Sequence, residues 1–277
     1  MARIPLEDSL ADIITKALRG LNIDAGTLAR RAGISDATFA AALDGSAPDD
    51  AIRRIARHLQ LHPGRLLAFA RKPPLPETPP LPRGLVVFNT PFGNGLSVNN
   101  CLLMDPRSRQ AAVFDTGAAC CALLDVIADE KADVRRIFIT HAHPDHIARL
   151  RELSDKLPSA EIWMHELEPF DGAAPNIRRF PSNACFHTGR VVIKPLHIGG
   201  HSPGMTAYRA DGLSAPLAIT GDSIFSGSAA GCDAPAFRAQ LKNIREKILS
   251  LPRQTLLVCG HGPLTTVAHE RLHNPFF

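Results

Sequence analysis

Over roughly the first 70 positions, apolar side chains recur at intervals of three and four residues. Leu10, Ile13, Ile14, Ala17 and Leu18 mark the face of one helix. Asp24 can cap a second helix running through Leu28 and Ala32 to Gly33, and Ser35 can cap a third carrying Phe39 and Leu43 to Gly45. Pro48 suits the start of a fourth, with Ile52, Ile55, Ala56 and Leu59 as its buried stripe, and Leu66, Leu67 and Phe69 indicate a fifth. The period then breaks at Pro73-Pro-Leu-Pro-Glu-Thr-Pro-Pro-Leu-Pro82, where fixed φ angles and missing N–H donors exclude both helix interior and central strand. Beyond it, short β-branched runs predict strands at 84–88, 97–104, 111–114, 136–140, 161–164, 191–197, 205–209, 217–220 and 255–258. Helical patterns intervene at 118–129, 146–156 and 236–250. The chain is therefore expected to divide into a small all-α region (1–72), a stiff linker (73–83) and an α/β region (84–277) whose sheets are covered by helices.

Composition narrows the class. Of 277 residues, 45% are hydrophobic and 21% charged, ordinary values for a soluble globular protein and wrong for a disordered or fibrous one. No apolar run approaches a membrane span, so no membrane role is expected. Glu7 and Asp8 stand where a secretory signal would be apolar, so a cytoplasmic protein is expected. The six cysteines form no C-x-x-C pair and are read as reduced, mostly packed thiols.

In the helical region, Thr27-Leu-Ala-Arg-Arg-Ala-Gly-Ile-Ser35, Thr38-Phe39 and Leu43-Asp-Gly45 resemble the Cro/repressor family of helix-turn-helix domains. The would-be reading helix, Ser35 to Leu43, carries no Arg, Lys, Asn or Gln for base edges and places Asp36 towards the DNA. The net charge of +4 adds little. Specific DNA binding is thus disfavoured, and a helical domain kept for dimerisation, partner docking or shaping an active-site rim is expected instead.

Four predicted strands run directly into His or Asp: Ile137-Phe-Ile-Thr-His141, Leu196-His-Ile-Gly-Gly-His201, Ala218-Ile-Thr-Gly-Asp222 and Leu257-Val-Cys-Gly-His261. Strand ends are where α/β architectures place their sites. The densest cluster is Thr140-His-Ala-His-Pro-Asp-His146. A loop can turn His141 and His143 one way and Asp145 and His146 another, making halves of two adjacent N/O sites for zinc, manganese or iron. Burying four such groups together is costly unless something binds them. The scattered His58, His62, His165, His187, His197, His269 and His273 are read as core or surface residues.

Together with Phe114-Asp-Thr-Gly117, Gly200-His-Ser-Pro-Gly204, Thr220-Gly-Asp222, Gly260-His-Gly-Pro-Leu-Thr-Thr266 and Asn274-Pro-Phe276, this cluster resembles the metallo-β-lactamase-fold superfamily, and within it the glyoxalase II-like hydrolases. The resemblance implies an αββα sandwich with a two-metal cleft. His141, His143 and His201 would hold the first metal, Asp145, His146 and His261 the second, and Asp222 would bridge them, with Asp115 orienting a ligand imidazole. Two divalent ions are expected, zinc first, with iron or manganese as alternatives. The implied activity is hydrolysis of a thioester, lactone or small ester by a metal-bridging hydroxide. Asp145 would bind metal, orient the hydroxide and move a proton to the leaving group; no G-x-S-x-G elbow competes with that chemistry. Thr220-Gly-Asp222 stands where the secreted lactamases of this superfamily place a cysteine, so β-lactam hydrolysis is not expected. The competing readings are a mononuclear iron persulfide dioxygenase and a DNA-binding regulator with a metal-dependent sensor domain. The partner is expected to be a small-molecule substrate, with a homo-oligomer formed through the helical region as a further expectation.

Three further expectations can be checked. The Gly-Arg that glyoxalase-like members often carry before the residue equivalent to Asp233 is replaced by Ala230-Gly231, so a high KM for S-lactoylglutathione is expected, with Arg149 and Arg178 as candidate substitutes. Ile147-Ala-Arg149 replaces the small glycines that usually follow the metal motif and is expected to alter the start of the next helix. Every proposed ligand lies beyond the linker, so the fragment starting near Gly84 is expected to fold alone and retain its metals.

Overall fold

The computed structural model describes residues 4–77, 79–93, 95–172 and 176–277. Five helices open the chain: α1 (Leu10–Leu21), α2 (Ala25–Ala32), α3 (Asp36–Leu43), α4 (Asp49–His58) and α5 (Pro63–Arg71). Their ends follow the local chemistry. The Asp24 and Ser35 side chains accept N–H groups of Thr27 and Thr38, and Gly33 closes α2 in the left-handed region. Ser9 and Asp12 add a reciprocal capping box at α1 that the periodicity did not reveal.

Two six-stranded sheets follow. The first runs in the order β1 (Leu85–Phe92), β2 (Leu96–Met104), β3 (Gln110–Phe114), β4 (Asp133–Phe138), β5 (Glu161–His165) and β6 (Ile177–Phe180). Helices α6 (Cys121–Asp129), α7 (Pro144–Ile147) and α8 (Leu150–Lys156) interrupt its sequence. The second sheet uses β7 (Phe186–Thr188), β8 (Val191–His197), β9 (Thr206–Asp211) and β10 (Leu217–Gly221). A short hairpin, β11 (Ile224–Phe225) and β12 (Ser228–Ala229), and helix α9 (Ala234–Asn243) lead to β13 (Leu256–Cys259), β14 (Thr265–Thr266) and helix α10 (Val267–His273). The spatial order of this sheet is β14-β13-β10-β9-β8-β7.

Side-chain alternation builds the layers. In β3, Ala112 and Phe114 face the space between the sheets, whereas Ala111 and Val113 face α6 and α8. In β13, Leu256 and Val258 join the inter-sheet core and Leu257 and Cys259 the outer one. Both faces of these strands are buried, which explains their continuous apolar runs. The arrangement is a mixed α/β sandwich with helices outside both sheets, the expected fold class.

Two expectations change. The helix predicted at 146–156 is broken at Ala148-Arg149, because Thr116 Oγ1 accepts the Arg149 N–H at 3.0 Å while Arg149 Nε donates to the Ala118 carbonyl at 2.8 Å. The larger change concerns the helical region, whose apolar stripes pack on one another and also on the second sheet. Ile13, Ile14, Ile55 and Phe69 lie in one continuous core with Ile198, Phe225, Phe237 and Ile244, covering the outer face of the second sheet. Gly20 permits the contact between α1 and α9: a Cβ there would stand 2.3 Å from the Phe237 ring. The C-terminal segment closes the seam, with the His62 N–H donating to the Pro275 carbonyl at 2.7 Å and Arg65 to the Phe277 carbonyl at 2.5 Å.

Candidate metal centre

All seven predicted ligands converge where strands of the two sheets end. His141, His143, Asp145 and His146 follow β4, His201 follows β8, Asp222 directly follows β10 and His261 follows β13. The donor atoms form two triads, His141–His143–His201 and Asp145–His146–His261, each within 4.8 Å, and Asp222 forms a third such group with His141 and His146. Asp222 reaches towards both triads: its oxygens lie 3.2 Å from His146 Nε2, 3.3 Å from His261 Nε2, 3.5 Å from His201 Nε2 and 3.9 Å from His141 Nε2. Gly260 makes this approach possible, since a Cβ there would meet Asp222 Oδ1 at 2.0 Å.

The imidazoles are oriented from behind. Asp115 Oδ2 takes the Nδ1 of His146 at 2.8 Å, the Ser97 carbonyl that of His261 at 2.7 Å and the Gly231 carbonyl that of His201 at 3.1 Å. Thr140 Oγ1 stands 3.1 Å from His141 Nδ1 and itself donates to Asp115 at 2.8 Å, so it is left to accept from the ring. Each of these four rings is thus held through Nδ1, which turns its Nε2 towards the centre. Asp115 does this from a left-handed backbone (φ 54°), a strained position for a non-glycine residue and one that the surrounding structure must hold. The Nε2 atoms of His141, His146 and His201 and the Oδ1 of Asp222 are buried and have no hydrogen-bond partner among the described residues. Converging orphan acceptors are costly unless a cation occupies the space between them. The cluster therefore fits divalent metal ions.

Without metal, protons partly fill that role. Burial disfavours the charged form of His146, but Asp222 and Asp115 outweigh it and raise its pKa to about 10. For His261 burial acts the same way and is outweighed by hydrogen bonds to Asp145 and Asp222, giving about 11. His141 moves well below its usual value, through burial and then the neighbouring His146. Burial pushes Asp222 upward, yet His146 and the other imidazoles pull it well below the usual carboxylate range.

A further residue escaped the sequence reading. Glu168, buried in the loop after β5, accepts the Ala142 N–H at 2.7 Å, the Ser202 hydroxyl at 2.6 Å and the Gly204 N–H at 3.0 Å. One carboxylate thus ties the His141–His143 loop to the loop bearing His201. Glu168→Ala should weaken zinc binding at that triad by about 10- to 100-fold, as is usual for groups supporting ligands, measured by chelator competition.

His165 opens the same loop. It accepts the Leu167 N–H on Nδ1 at 3.1 Å and lies 3.0 Å from Ser182 Oγ through Nε2, an arrangement only the neutral ring satisfies. Burial, and then the stacked His197, lower its pKa to about 4. A histidine with a depressed folded-state pKa favours folding above its ordinary value and loses that contribution as pH falls from about 6.5 towards 4. Urea titrations of the metal-free protein at pH 7 and pH 4.5 should show that loss, and His165→Gln should diminish it.

The centre opens into a cleft of about 440 Å³. Arg149 and Arg178, the expected anchors for an anionic substrate, do not line it. Arg149 is engaged with Ala118 and Glu152, and Arg178 with Glu161 and the Trp163 ring. Among the described residues its lining includes Lys16 and Arg19 of α1, the Glu7 carboxylate, and Phe92 and Leu96 of the β1–β2 hairpin.

The profile of the metallo-beta-lactamase superfamily matches residues 94–261, well over half the chain. The chain belongs to that superfamily. Among its relatives is Hydroxyacylglutathione hydrolase GloC of Haemophilus influenzae, 27% identical over 197 residues, a match covering 64% of this chain and 92% of the relative. Among solved structures, the BLEG-1 B3 metallo-beta-lactamase superposes with a TM-score of 0.59 at 28% identity, covering 69% of this chain and 99% of that one. TTHA1623, solved in a di-iron-bound form, gives 0.55 at 26% identity over 69% of this chain and all of its own. These matches cover about two thirds of the chain or slightly more, which leaves much of the helical region outside the family resemblance.

Proposed function

We propose that the protein is a metal-dependent hydrolase that holds two divalent ions, zinc by preference, and cleaves a thioester, lactone or small ester. The observation carrying this reading is the pair of complete donor triads sharing Asp222, with orphan Nε2 and Oδ1 atoms aimed between them. His141, His143 and His201 would hold one ion, Asp145, His146 and His261 the other, and Asp222 both. Ions at such paired sites supply Lewis-acid polarisation of a carbonyl and lower the pKa of water. The chain's own part falls to Asp145, the more exposed of the two carboxylates, whose Oδ2 lies 3.0 Å from His261 Nε2. From the cleft wall it can accept a proton from the attacking water and return it to the departing thiolate or alkoxide.

Element analysis together with turnover tests the reading. Two zinc or manganese ions per chain and ester or thioester hydrolysis without oxygen uptake are the expected result; the Haemophilus relative makes S-lactoylglutathione the first thioester to assay. One iron per chain with oxygen consumption on glutathione persulfide would replace it with a mononuclear dioxygenase. The α2–α3 pair keeps helix-turn-helix spacing, but α3 shows solvent Asp36, Ala37 and Ala40, a surface without base-reading groups. We therefore read the helical region as part of the cleft rather than as a DNA reader, and a duplex titration at two salt concentrations checks this.

A further inference from the structure

Helix α9 carries no proposed ligand, yet its polar side chains close on both segments that hold His201. Gln240 Nε2 donates to the Ala230 carbonyl at 2.7 Å, and the next carbonyl along, that of Gly231, takes the Nδ1 of His201 at 3.1 Å. Asn243 Nδ2 donates to the Ile198 carbonyl at 2.8 Å, and Lys247 Nζ, in the π-helical turn that extends α9, to the His197 carbonyl at 2.6 Å. The turn leading into His201 is therefore gripped as well. Gln240 and Asn243 are three positions apart and share a side of the helix, so one surface serves both segments. Unlike His146, whose Nδ1 is taken by the Asp115 carboxylate, His201 is aimed by a main-chain carbonyl just beyond the short hairpin β11–β12, and that carbonyl must itself be held.

Gln240 is fully buried, and its Oε1 has no hydrogen-bond partner among the described residues. A buried amide with one end unpaired is costlier than an apolar side chain of the same shape, so core packing does not account for it. Its oxygen lies against Gly200, the residue before His201. A Cβ on Gly200 would stand 2.2 Å from Oε1, and the Gly200 backbone is left-handed, at φ 93°. The amide thus fills the gap between Gly200 and Ala230, and exchanging its ends would set one carbonyl oxygen against another. Helix α9 is backed in turn by α1, where Gly20 makes room for the Phe237 ring. Resting on the two-ion reading above, we propose that Gln240, with Asn243, is a positioning residue for His201, and that α9 thereby sets the metal affinity of the His141–His143–His201 site separately from that of the Asp145–His146–His261 site.

Zinc binding to the full chain, followed by chelator competition, reads the two sites as two steps, and His201→Ala identifies the step that belongs to the first triad. Gln240→Met keeps the length of the side chain and removes its donor. It should weaken that step by about 10- to 100-fold and leave the other where it is in the wild type. Asn243→Ala, at a half-buried position, removes the second grip without opening the core and should weaken the same step to a smaller extent, which keeps the test decisive if Gln240→Met does not fold. In the His201→Ala background neither substitution should change the remaining step, because the ring through which they act is gone. The His201 ring proton, assigned by nitrogen-edited NMR against His201→Ala, gives a readout that needs no metal: the apo wild type should show a protected Nδ1–H and Gln240→Met should not. If the wild type takes up fewer than two ions, the two-ion reading falls and this proton decides alone, its loss in the variant sustaining the positioning role and its persistence overturning it. With two steps present, equal weakening of both, weakening of neither, or a further loss in the His201→Ala background would make Gln240 an ordinary core residue and overturn the proposal.

Discussion

Asp222→Ala is expected to remove most of the bound metal and to cut turnover by about a thousandfold or more, beyond the 10- to 100-fold typical of residues that merely support ligands. Among the described residues, Asp222 alone has oxygens that approach imidazoles of both triads, at 3.2 Å from His146 and 3.5 Å from His201. Its loss therefore damages both positions at once. The same substitution should leave the metal-free fold largely intact. Asp222 sits among imidazoles, and no backbone N–H of the described residues donates to it. Removing it takes away one of the carboxylates that raise His146 and His261, while Asp115 and Asp145 keep their share. Zinc titration of the wild-type apo-protein near pH 7 should consequently release protons, because both histidines must give them up to bind. The variant should release fewer. Metal content by element analysis, turnover and circular dichroism on the same preparation check this; full metal stoichiometry in Asp222→Ala or His143→Ala would remove that residue from the ligand set.

The centre was legible in the sequence because its chemistry is dense and its context is regular. Three imidazoles and a carboxylate within six positions, and three further polar residues each ending an apolar strand, have no ordinary structural explanation. The five N-terminal helices were legible for a similar reason, since Asp24, Ser35 and Gly33 announce their ends. Glu168 was not, because its three donors come from residues 142, 202 and 204, and an isolated glutamate in a loop carries no spacing that links it to them. Strands β6 and β7 were missed because Ile-Arg-Arg-Phe and Phe-His-Thr are too short, and too polar at their exposed positions, to show a period. Lys16 and Arg19 look like the solvated side of an amphipathic helix until α1 is seen packed on α9. Their place in the cleft depends on how two regions dock, and local pattern says nothing about docking.

That docking governs the last expectation. A chain beginning at Gly84 contains every proposed ligand, and the sequence alone predicts that it folds by itself. In the folded protein, α1, α4 and α5 bury Phe225, Ile224, Ile198 and Phe237 in a core common to both regions. Truncation would expose this contiguous apolar surface on the outer side of the second sheet, and exposed patches of that kind drive association. It would also remove Asp8 from Ser228 and free the hairpin β11–β12, which directly follows Asp222. The truncated chain should therefore be poorly soluble or bind hydrophobic dyes with a broadened melt, whereas the full chain melts cooperatively. A milder disturbance of the same seam is available in the full chain. Gly20→Val forces a branched side chain into the Phe237 ring and should lower stability by about 1 to 3 kcal/mol or more, the usual cost of overpacking. If the two regions were independent, that substitution would leave the melting of the metal-bearing region unchanged, and residues 84–277 would form a soluble monomer with full zinc content; either result would show the shared core to be dispensable.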